Sequence, residues 1–532
     1  MQGDYDLKVL IVTGIRAKPI VDKYVSESKV PAEVISLPVE VAALMSPEYI
    51  STMLRSVETA KFDKILLPGL IPGDVSVVEH ITGVPTFKGP KHAADLPLVL
   101  EAMDRVQLST TIPASDLTYN AIREQASKEL EAIYKEEVEL ARSGIGISIE
   151  GGKRTLWIGP QYSPRVLGEI VDASLLPDEA IRALAMSFVE AGAEIVDIGM
   201  VAAGGDPENA ERAVRIAKEA VPTPVSIDTG DVKEMKAAVE AGVDLILSVN
   251  ALTLKQASEF ATQLPVVVTP TNNEGFCPNE PAPKLEQLNK NIELARSLGF
   301  KKIIADPVLT PLLTPSTTES LVAYSEFKRR NPSLPMLFGA GNVTELVDCD
   351  SLGANTLLAA MACELGVSII LTTEASNKTK GTIWEMSTAV KMAMLSRRRK
   401  SSLEDLGFDL LVLKEKRRHE EPYDRKVEDT VKVVRAPSRE FIYDRLGCFR
   451  IMLDRDRGEI AACHFVYGSN QPDLIVKGVD PLDITTTVIE NGLISRMDHA
   501  AYLGAELEKA EVALVTGKSY TQDLPLFTKD AK

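Results

Sequence analysis

Isolated polar side chains stand at the ends of apolar runs in the middle of this sequence. Asp228 closes the run PVSID, and Asn250 closes the run DLILSVN. A strand that is covered on both faces has no structural use for a lone carboxylate or carboxamide. Other runs end in the same way, and the polar residues found there are Glu169, Asp172, Asp197, Thr269, Asn272, Asp306, Asn342, Thr372, Thr373 and Glu374. We therefore expect a ligand at these strand ends.

This set of residues limits the chemistry. It contains carboxylates and amides but no histidine or cysteine, which argues against a nucleophilic triad. A carboxylate can accept two N–H bonds from the edge of an amino-pyrimidinone, and an amide can satisfy its carbonyl. Leaving such groups buried and unpaired would cost about 1–3 kcal/mol each. A flat heterocycle rich in donors and acceptors therefore fits best. The alternative is that the acids cap the following helices, or that Asp306, which precedes Pro307, opens a turn.

The elements that must position these residues are regular. From about 165 to 398, apolar runs alternate with helical segments, and the runs are RVLGEIV, EIVDIG, PVSID, DLILSVN, PVVVTP, KIIADP, PMLFG and SIILTTE. Eight such units predict a (β/α)₈ TIM barrel, whose reactive mouth lies at the carboxyl ends of the strands. An open doubly wound sheet is the alternative, but the units follow one another without a long crossover. The barrel is therefore favoured.

The flanking segments predict further modules. Residues 1–125 alternate strands and amphipathic helices, as in a small flavodoxin-like α/β domain. Residues 126–164 predict a connector helix and a β-hairpin that turns at Gly151 and Gly152. The barrel takes 165–400, a charged linker takes 401–440, and an α+β module takes 441–532. The overall class is therefore α/β, with the barrel at the centre.

Bulk composition excludes several classes of function. The 532 residues carry a net charge of −17, which disfavours general binding of nucleic acid. No apolar run reaches the roughly 18 residues of a membrane helix, so no membrane insertion is expected. The first residues, MQGDYDLKVLIVTG, lack the basic start of a signal peptide. The five cysteines form no CxxC pair, so neither a zinc site nor a disulfide framework is expected. A cytoplasmic protein, which could form a homodimer, is the simplest interpretation.

Five motifs carry a resemblance to a known family. AGAEIVDIG, PVSIDT, GVDLILSVNAL, IIADP and FGAGNVT occur in this order between about 165 and 398. Together they resemble the pterin-binding barrel family, which includes dihydropteroate synthases and the pterin-dependent methyltransferases of cobalamin systems. The whole chain resembles the archaeal dihydropteroate synthase-related proteins. The resemblance implies a pterin-binding TIM barrel in which Asn342 lies near the reactive edge of the ring. The ring contacts that it implies are Glu169, Asp197, Asp228, Asn250 and Asp306.

The departures from the family pattern concern the reaction. Synthases have a serine-arginine-lysine run at strand 7 and an arginine-histidine pair at strand 8, where this chain has GAGNVT and ILTTEAS. A leaving pyrophosphate needs stabilisation by Lys, Arg, Mg²⁺ or a helix N-terminus. GEIVDAS is closer to the methyltransferase pattern glycine-glutamate-arginine-isoleucine-asparagine, with Asp172 in place of the asparagine. Methyl transfer from N5 requires a proton or hydrogen bond at that nitrogen. Asn342 and Asp172 are therefore the predicted catalytic residues.

Three functions follow from this resemblance. The first is binding of a reduced pterin, of the tetrahydrofolate or tetrahydromethanopterin type, with transfer of its N5 methyl group to a corrinoid or a thiol. The second is synthase-like C–N condensation, which alone would use Mg²⁺; no metal ligands are otherwise predicted. The third is pterin binding without catalysis. A cobamide could be carried by this chain or by a corrinoid protein, although His80 and His464 are better explained as a surface and a strand histidine. VTGKS, with Val512 upstream, is no phosphate loop.

Overall fold

The computed structural model describes residues 7–202, 204–416, 423, 425–437 and 442–527. The chain divides into two compact units, Met1–Glu421 and Pro422–Lys532. The first unit contains a four-stranded sheet, a β-hairpin and an eight-stranded barrel, and the second contains a three-stranded sheet with two helices. The predicted fold class is confirmed, whereas the finer division into five segments stays a prediction. No helix in the described part of the chain is both long and apolar enough to cross a lipid bilayer.

The first sheet is parallel and has the strand order β2-β1-β3-β4. Its elements are β1 (Val9–Thr13), α1 (Lys18–Glu27), β2 (Ala32–Ser36), α2 (Pro47–Leu54), β3 (Lys64–Leu67), α3 (Ser76–Thr82), β4 (Thr86–Lys88) and α4 (Leu96–Ala102). Every residue of β1 is buried, because helices cover both faces of the sheet. The order 2-1-3-4 is that of the first four strands of a flavodoxin-like sheet.

A long helix and a hairpin connect this sheet to the barrel. They are α5 (Ala114–Arg142), β5 (Ile147–Gly151) and β6 (Arg154–Ile158). Ile149 and Ile158 of the hairpin belong to the apolar cluster that contains Leu167 and Ile195, which face the barrel interior. The hairpin therefore closes the amino-terminal end of the barrel. The open mouth of the barrel is therefore expected at the opposite end.

The barrel itself is closed. Its parallel strands have the order β12-β11-β10-β9-β8-β7-β14-β13, and a bridge between Ala305 and Met336 joins the two outermost strands. The strands are β7 (Arg165–Ile170), β8 (Ile195–Gly199), β9 (Val225–Asp228), β10 (Leu245–Val249), β11 (Val266–Val268), β12 (Ile303–Ala305), β13 (Leu337–Gly339) and β14 (Ile369–Thr373). The predicted count of eight units is confirmed.

Helices surround the strands. They are α6 (Asp178–Ala191), α7 (Pro207–Ala220), α8 (Val232–Glu240), α9 (Leu254–Ala257), α10 (Pro281–Ser297), α11 (Thr317–Arg330), α12 (Gly341–Thr344), α13 (Ser351–Leu365) and α14 (Thr382–Arg399). Side chains of Asp206 and Asp231 cap α7 and α8. Asp197 and Asp228, at the preceding strand ends, are therefore not needed as caps, so this alternative is wrong for both.

The second unit has the predicted α+β composition. Its antiparallel sheet has the order β15 (Cys448–Asp454), β16 (Glu459–Phe465) and β17 (Leu474–Gly478). Helices α15 (Pro481–Glu490) and α16 (Met497–Thr516) follow. Apolar side chains of both helices pack with Phe449, Ile451 and Ile460 on one face of the sheet.

Candidate functional site

Three carboxyl groups meet in neighbouring strands at the carboxyl end of the barrel. The register pairs Glu169 of β7 with Asp197 of β8, and Gly199 of β8 with Asp228 of β9. Glu169 and Asp197 therefore lie in one layer of the barrel, and Asp228 lies one layer nearer the mouth. Gly199 leaves room for this carboxyl group, because a Cβ at position 199 would overlap Oε1 of Glu169 unless that side chain moved.

Asp197 is the most buried member of this group. Its exposed fraction is 0%, and its Oδ1 accepts the hydroxyl hydrogen bond of Ser226 at 2.5 Å. Its Oδ2 is equally buried and has no hydrogen-bond partner among the described residues. A buried acceptor of this kind is normally satisfied by a ligand or by ordered water. Asp197 is therefore a strong candidate for a ligand contact.

Burial raises the pKa values of all three groups, and nearby carboxylate charges add to the rise for Glu169 and Asp197. Burial raises the pKa of Glu169 to about 7, helped by the charges of Asp228, Asp172 and Glu345. Burial, then Asp228 and Glu169, raise the pKa of Asp197 well above its usual range. Burial also raises the pKa of Asp228, against a hydrogen bond from the side chain of Ser248. Part of this cluster therefore holds protons near neutral pH, so it can both accept N–H bonds and give up a proton.

Asp306 lies at the end of β12 and is held differently. Its Oδ1 accepts the backbone N–H of Val308 at 2.7 Å and the hydroxyl of the buried Tyr324 at 2.8 Å. Burial raises the pKa of Asp306 to about 6, and these two hydrogen bonds limit the rise. Its Oδ2 carries no hydrogen bond within the described part of the chain. Asp306 does open a turn, as the structural alternative proposed, while one oxygen stays available at the mouth.

Asn250 lies beyond β10, in a turn that its own side chain stabilises. Its Nδ2 donates to the carbonyl of Ser248 at 3.1 Å, and its Oδ1 accepts the N–H of Leu252 at 3.0 Å. Ser248 has a φ of 61°, where the pairing of β10 with β11 is irregular, and its side chain reaches Asp228. Ser248 was missed by sequence reasoning, because an irregular strand changes which side chains face inward. The role of Asn250 as a ring contact stays a prediction.

The two predicted catalytic residues lie at the rim. Asn342 is exposed and donates from Nδ2 to the carbonyl of Leu309 at 2.9 Å. Asp172 is exposed and has a φ of 51°, in the left-handed region. It lines a cavity of about 410 Å³ together with Glu169, Glu374 and Lys380. Apolar side chains, among them Phe188 of α6, complete the lining. The structure thus places Asp172, but not Asn342, in one cavity with Glu169.

Two lysines near the mouth were not expected from the strand-end motifs. Lys380, in the loop after β14, lines the cavity just described. This loop is held in place by Glu345, which accepts hydrogen bonds from Ala375 N and from the hydroxyls of Ser376 and Thr379. Lys284, near the start of α10, is fully buried and contributes a positive charge near Asp306. Both lie several residues away from a strand end, where strand motifs carry no signal.

The arrangement suits a neutral or cationic ligand with many N–H donors. Carboxyl groups from β7, β8, β9 and β12 converge, and within the described residues no group of three or more His, Cys, Asp or Glu side chains could hold a metal ion.

Three family models match the chain. Residues 172–374 match the family described as pterin binding enzyme, and residues 443–523 match the family PterinBD-DUF4346. Residues 7–91 match a family of unknown function, DUF6513.

Two curated proteins are similar in sequence. The chain is 36% identical over 533 residues to the uncharacterized protein MJ0107 of Methanocaldococcus jannaschii, with 98% of this chain and 99% of that protein covered. It is 32% identical over 126 residues to a Ycf91-like protein of Nostoc sp., covering 18% of this chain and 97% of that protein.

Solved structures of dihydropteroate synthases also align with the chain. The enzyme of Vibrio fischeri is 21% identical, covers 48% of this chain and 99% of its own, and has a TM-score of 0.38. The enzyme of Yersinia pestis is 20% identical, covers 47% of this chain and 98% of its own, and has a TM-score of 0.37.

Proposed function

We propose that this chain, which belongs to the pterin-binding barrel family, binds a reduced pterin of the folate or methanopterin type and transfers the methyl group from its N5 to an acceptor. The observation that carries the binding proposal is the buried Oδ2 of Asp197, which has no partner among the described residues. The pterin-binding enzyme model covers this residue and Asp228 and Asp306. An N–H-rich ring would satisfy all three.

The mouth matches the ring by donor and acceptor type. The pyrimidine edge of a reduced pterin offers adjacent N–H groups, and carboxylate oxygens can accept them in pairs. Asp306 offers Oδ2 from one side, while Asp197 and Asp228 offer oxygens from the other. A protonated carboxyl in this cluster can also donate to a ring nitrogen or carbonyl, which the raised pKa values permit.

Charge favours methyl transfer over condensation with loss of pyrophosphate. A pyrophosphate in the mouth would approach Glu169, Asp172 and Glu374, with Lys380 as the cation that lines the same cavity. Two unit charges about 6 Å apart repel by roughly 3 kcal/mol at an effective dielectric constant near 20. Transfer of a methyl group leaves no such charge behind. Lys380 is the one observation that supports the synthase alternative, for which Mg²⁺ would be required.

Methyl transfer requires a proton at the leaving nitrogen. When the N5–CH₃ bond breaks, its electron pair stays on N5, which then takes up a proton, and the acceptor supplies the pair for the new bond to the methyl group. Glu169, with a pKa of about 7, can hold that proton at neutral pH. We add Glu169 to Asp172 as a candidate proton donor, while Asn342 can offer N5 only a hydrogen bond.

The acceptor is best assigned to a partner. A cobamide bound by this chain would need an accessible imidazole, but His464 is 2% exposed, with Nδ1 bonded to Asp473 at 2.7 Å. His80 lies in the last turn of α3, at the edge of the first sheet opposite to the strand ends where α/β folds bind cofactors. Neither His80 nor His464 is therefore proposed as a cobalt ligand. A corrinoid brought by another protein, or a free corrinoid, remains the proposed acceptor.

Two measurements test the function in order. Calorimetry with 5-methyltetrahydrofolate should show binding, and addition of cob(I)alamin should then produce methylcobalamin, followed by its absorbance. The variant Glu169→Gln should bind the pterin but transfer methyl at least tenfold more slowly. Asp348→Asn, which changes an exposed carboxylate after α12, serves as the control. Binding without any transfer to cob(I)alamin or to thiols would leave the chain a pterin-binding protein.

A further inference from the structure

One buried cation at the barrel mouth has no role in the function proposed above. Lys284 has an exposed fraction of 0%, and its Nζ donates to the carbonyl of Val308 at 3.3 Å. No carboxylate of the described residues lies within ion-pair distance of this amine. A buried ammonium group without an ion-pair partner is costly, so its position calls for an explanation.

A single turn links Lys284 to Asp306. The N–H of Val308 donates to Oδ1 of Asp306 at 2.7 Å, and the carbonyl of Val308 accepts a hydrogen bond from Nζ of Lys284. Val308 has a φ of 63°, which is rare for a β-branched residue. Such backbone conformations persist where the surroundings enforce them, and they concentrate at functional sites. Lys284 therefore stabilises the turn that orients the Asp306 carboxylate.

We propose that Lys284 is a positioning residue that holds the Val308 turn and so aims the Asp306 carboxylate into the mouth, where the β12 side of the barrel receives the N–H-rich edge of the pterin. This inference rests on the proposed function, since it names the orientation of the ligand in the same site. It assigns to Lys284 an action through Asp306 rather than a contact with the reacting atoms.

The charges around the pair agree with this role. Burial and the charge of Asp228 raise the pKa of Asp306, while Val308, Tyr324 and Lys284 lower it. Burial lowers the pKa of Lys284, and Cys277 and Asp306 oppose that change. Among the groups described, these are the charged or titratable neighbours that act on the pair.

On the opposite side of the mouth, the lysine that lines the cavity beside Glu169 is the exposed Lys380. None of the charges that act on Asp197, Asp228 or Glu169 is positive. An ionised carboxylate accepts two N–H bonds, whereas a protonated one offers fewer acceptors and a donor. A flat ring with one donor edge therefore has one preferred orientation, with that edge toward Asp306.

The test measures the affinity for 5-methyltetrahydrofolate between pH 5.5 and 8.5. Lys284→Met removes the charge and the hydrogen bond, and Lys284→Gln keeps a donor for the Val308 carbonyl. Removal of an opposite charge raises a carboxyl pKa by about one unit or more. In both variants the pH at which affinity is lost should therefore lie about one unit higher than in the wild type, with roughly threefold weaker binding at pH 6.5. Lys290→Met, which alters an exposed lysine of the same helix, should leave the profile unchanged.

Further variants separate a specific from a general effect. In an Asp306→Asn background, Lys284→Gln should produce no additional shift in the pH dependence of pterin affinity. Cys277→Ser, in the otherwise wild-type chain, should leave that pH dependence unchanged. Thermal melting identifies any variant that fails to fold, and Lys284→Gln is then the informative substitution. Equal profiles for wild type and Lys284→Gln would overturn the inference. A wild type that binds no reduced pterin would instead overturn the proposed function.

Discussion

Glu169 and Asp197 occupy paired positions on the adjacent strands β7 and β8, and the charge of Glu169 adds to burial and to the charge of Asp228 in raising the pKa of Asp197. Both side chains enter one layer of the barrel, and Gly199 leaves the space that the Glu169 carboxyl fills. Two carboxyl groups so close cannot both ionise without cost. One carboxyl group of the pair can therefore stay protonated near neutral pH, within the barrel mouth where the proposed methyl transfer needs a proton.

Replacement of Asp228 by asparagine tests the ring contact. We expect Asp228→Asn to weaken binding of a reduced pterin by roughly 2–4 kcal/mol, because a charge-assisted hydrogen bond is lost in a desolvated site. Calorimetry provides the measurement, and the fold should change little. Asp348→Asn, at an exposed position, should bind as the wild type does. Unaltered affinity in Asp228→Asn would exclude Asp228 as a ring contact.

Stability should depend on pH through Glu169. Its pKa is about 7 in the fold and 4.5 in the reference state, so the folded chain binds the extra proton between these values. The favourable contribution of protonated Glu169 to the free energy of unfolding is fully present below about pH 4.5 and is lost as the pH rises through 7. Glu169→Gln should therefore be more stable than the wild type by roughly 1–3 kcal/mol at pH 8, and by much less at pH 5. Denaturant unfolding at both values measures this, and an equal difference at the two would contradict it.

Removal of the Tyr324 hydroxyl should affect both stability and binding. Tyr324→Phe removes a hydroxyl that lies 2.8 Å from the Leu337 carbonyl and 2.8 Å from Oδ1 of Asp306 and shares one hydrogen between them, which should cost about 1–3 kcal/mol of unfolding free energy. It also removes a group that lowers the pKa of Asp306, so pterin affinity should be lost at a higher pH than in the wild type.

The matched control for this variant is Tyr520→Phe in the second unit. Tyr520 also donates its hydroxyl to a carboxylate, that of Glu506, at 2.8 Å. We expect Tyr520→Phe to lower the stability of its own unit and to leave the pH profile of pterin binding unchanged. A pH profile that responds equally to both substitutions would show that Tyr324 acts through general stability alone.

The acidic mouth predicts little synthase activity. With Mg²⁺, 6-hydroxymethyl-dihydropterin pyrophosphate and an arylamine, the purified protein should release pyrophosphate no faster than the background, because Glu169, Asp172 and Glu374 line the cavity that this group would enter. A coupled pyrophosphate assay measures this, with an authentic dihydropteroate synthase as the positive control. Robust release that depends on the arylamine, and that is lost in Lys380→Ala, would restore the synthase alternative.

The sequence alone determined the barrel and the strand-end acids. The alternation of apolar runs with helical segments is a local property, and parallel strands in a barrel must bring their carboxyl ends to one face. Asp197, Asp228 and Asp306 could therefore be located without a structure, and so could Glu169. The resemblance in five motifs supplied the ligand class, which periodicity alone could not.

Only the tertiary structure decided how these acids are supported. Tyr324 and Lys284 lie on helices, 18 and 22 residues from the Asp306 that they influence, and no local pattern encodes that approach. Ser248 reaches Asp228 because β10 is irregular, while Asn250 turns back on its own loop. Packing between distant segments determines burial, and burial sets the pKa values of Glu169 and Asp306. The chemistry of the mouth therefore depends on contacts that become visible only when the barrel is closed.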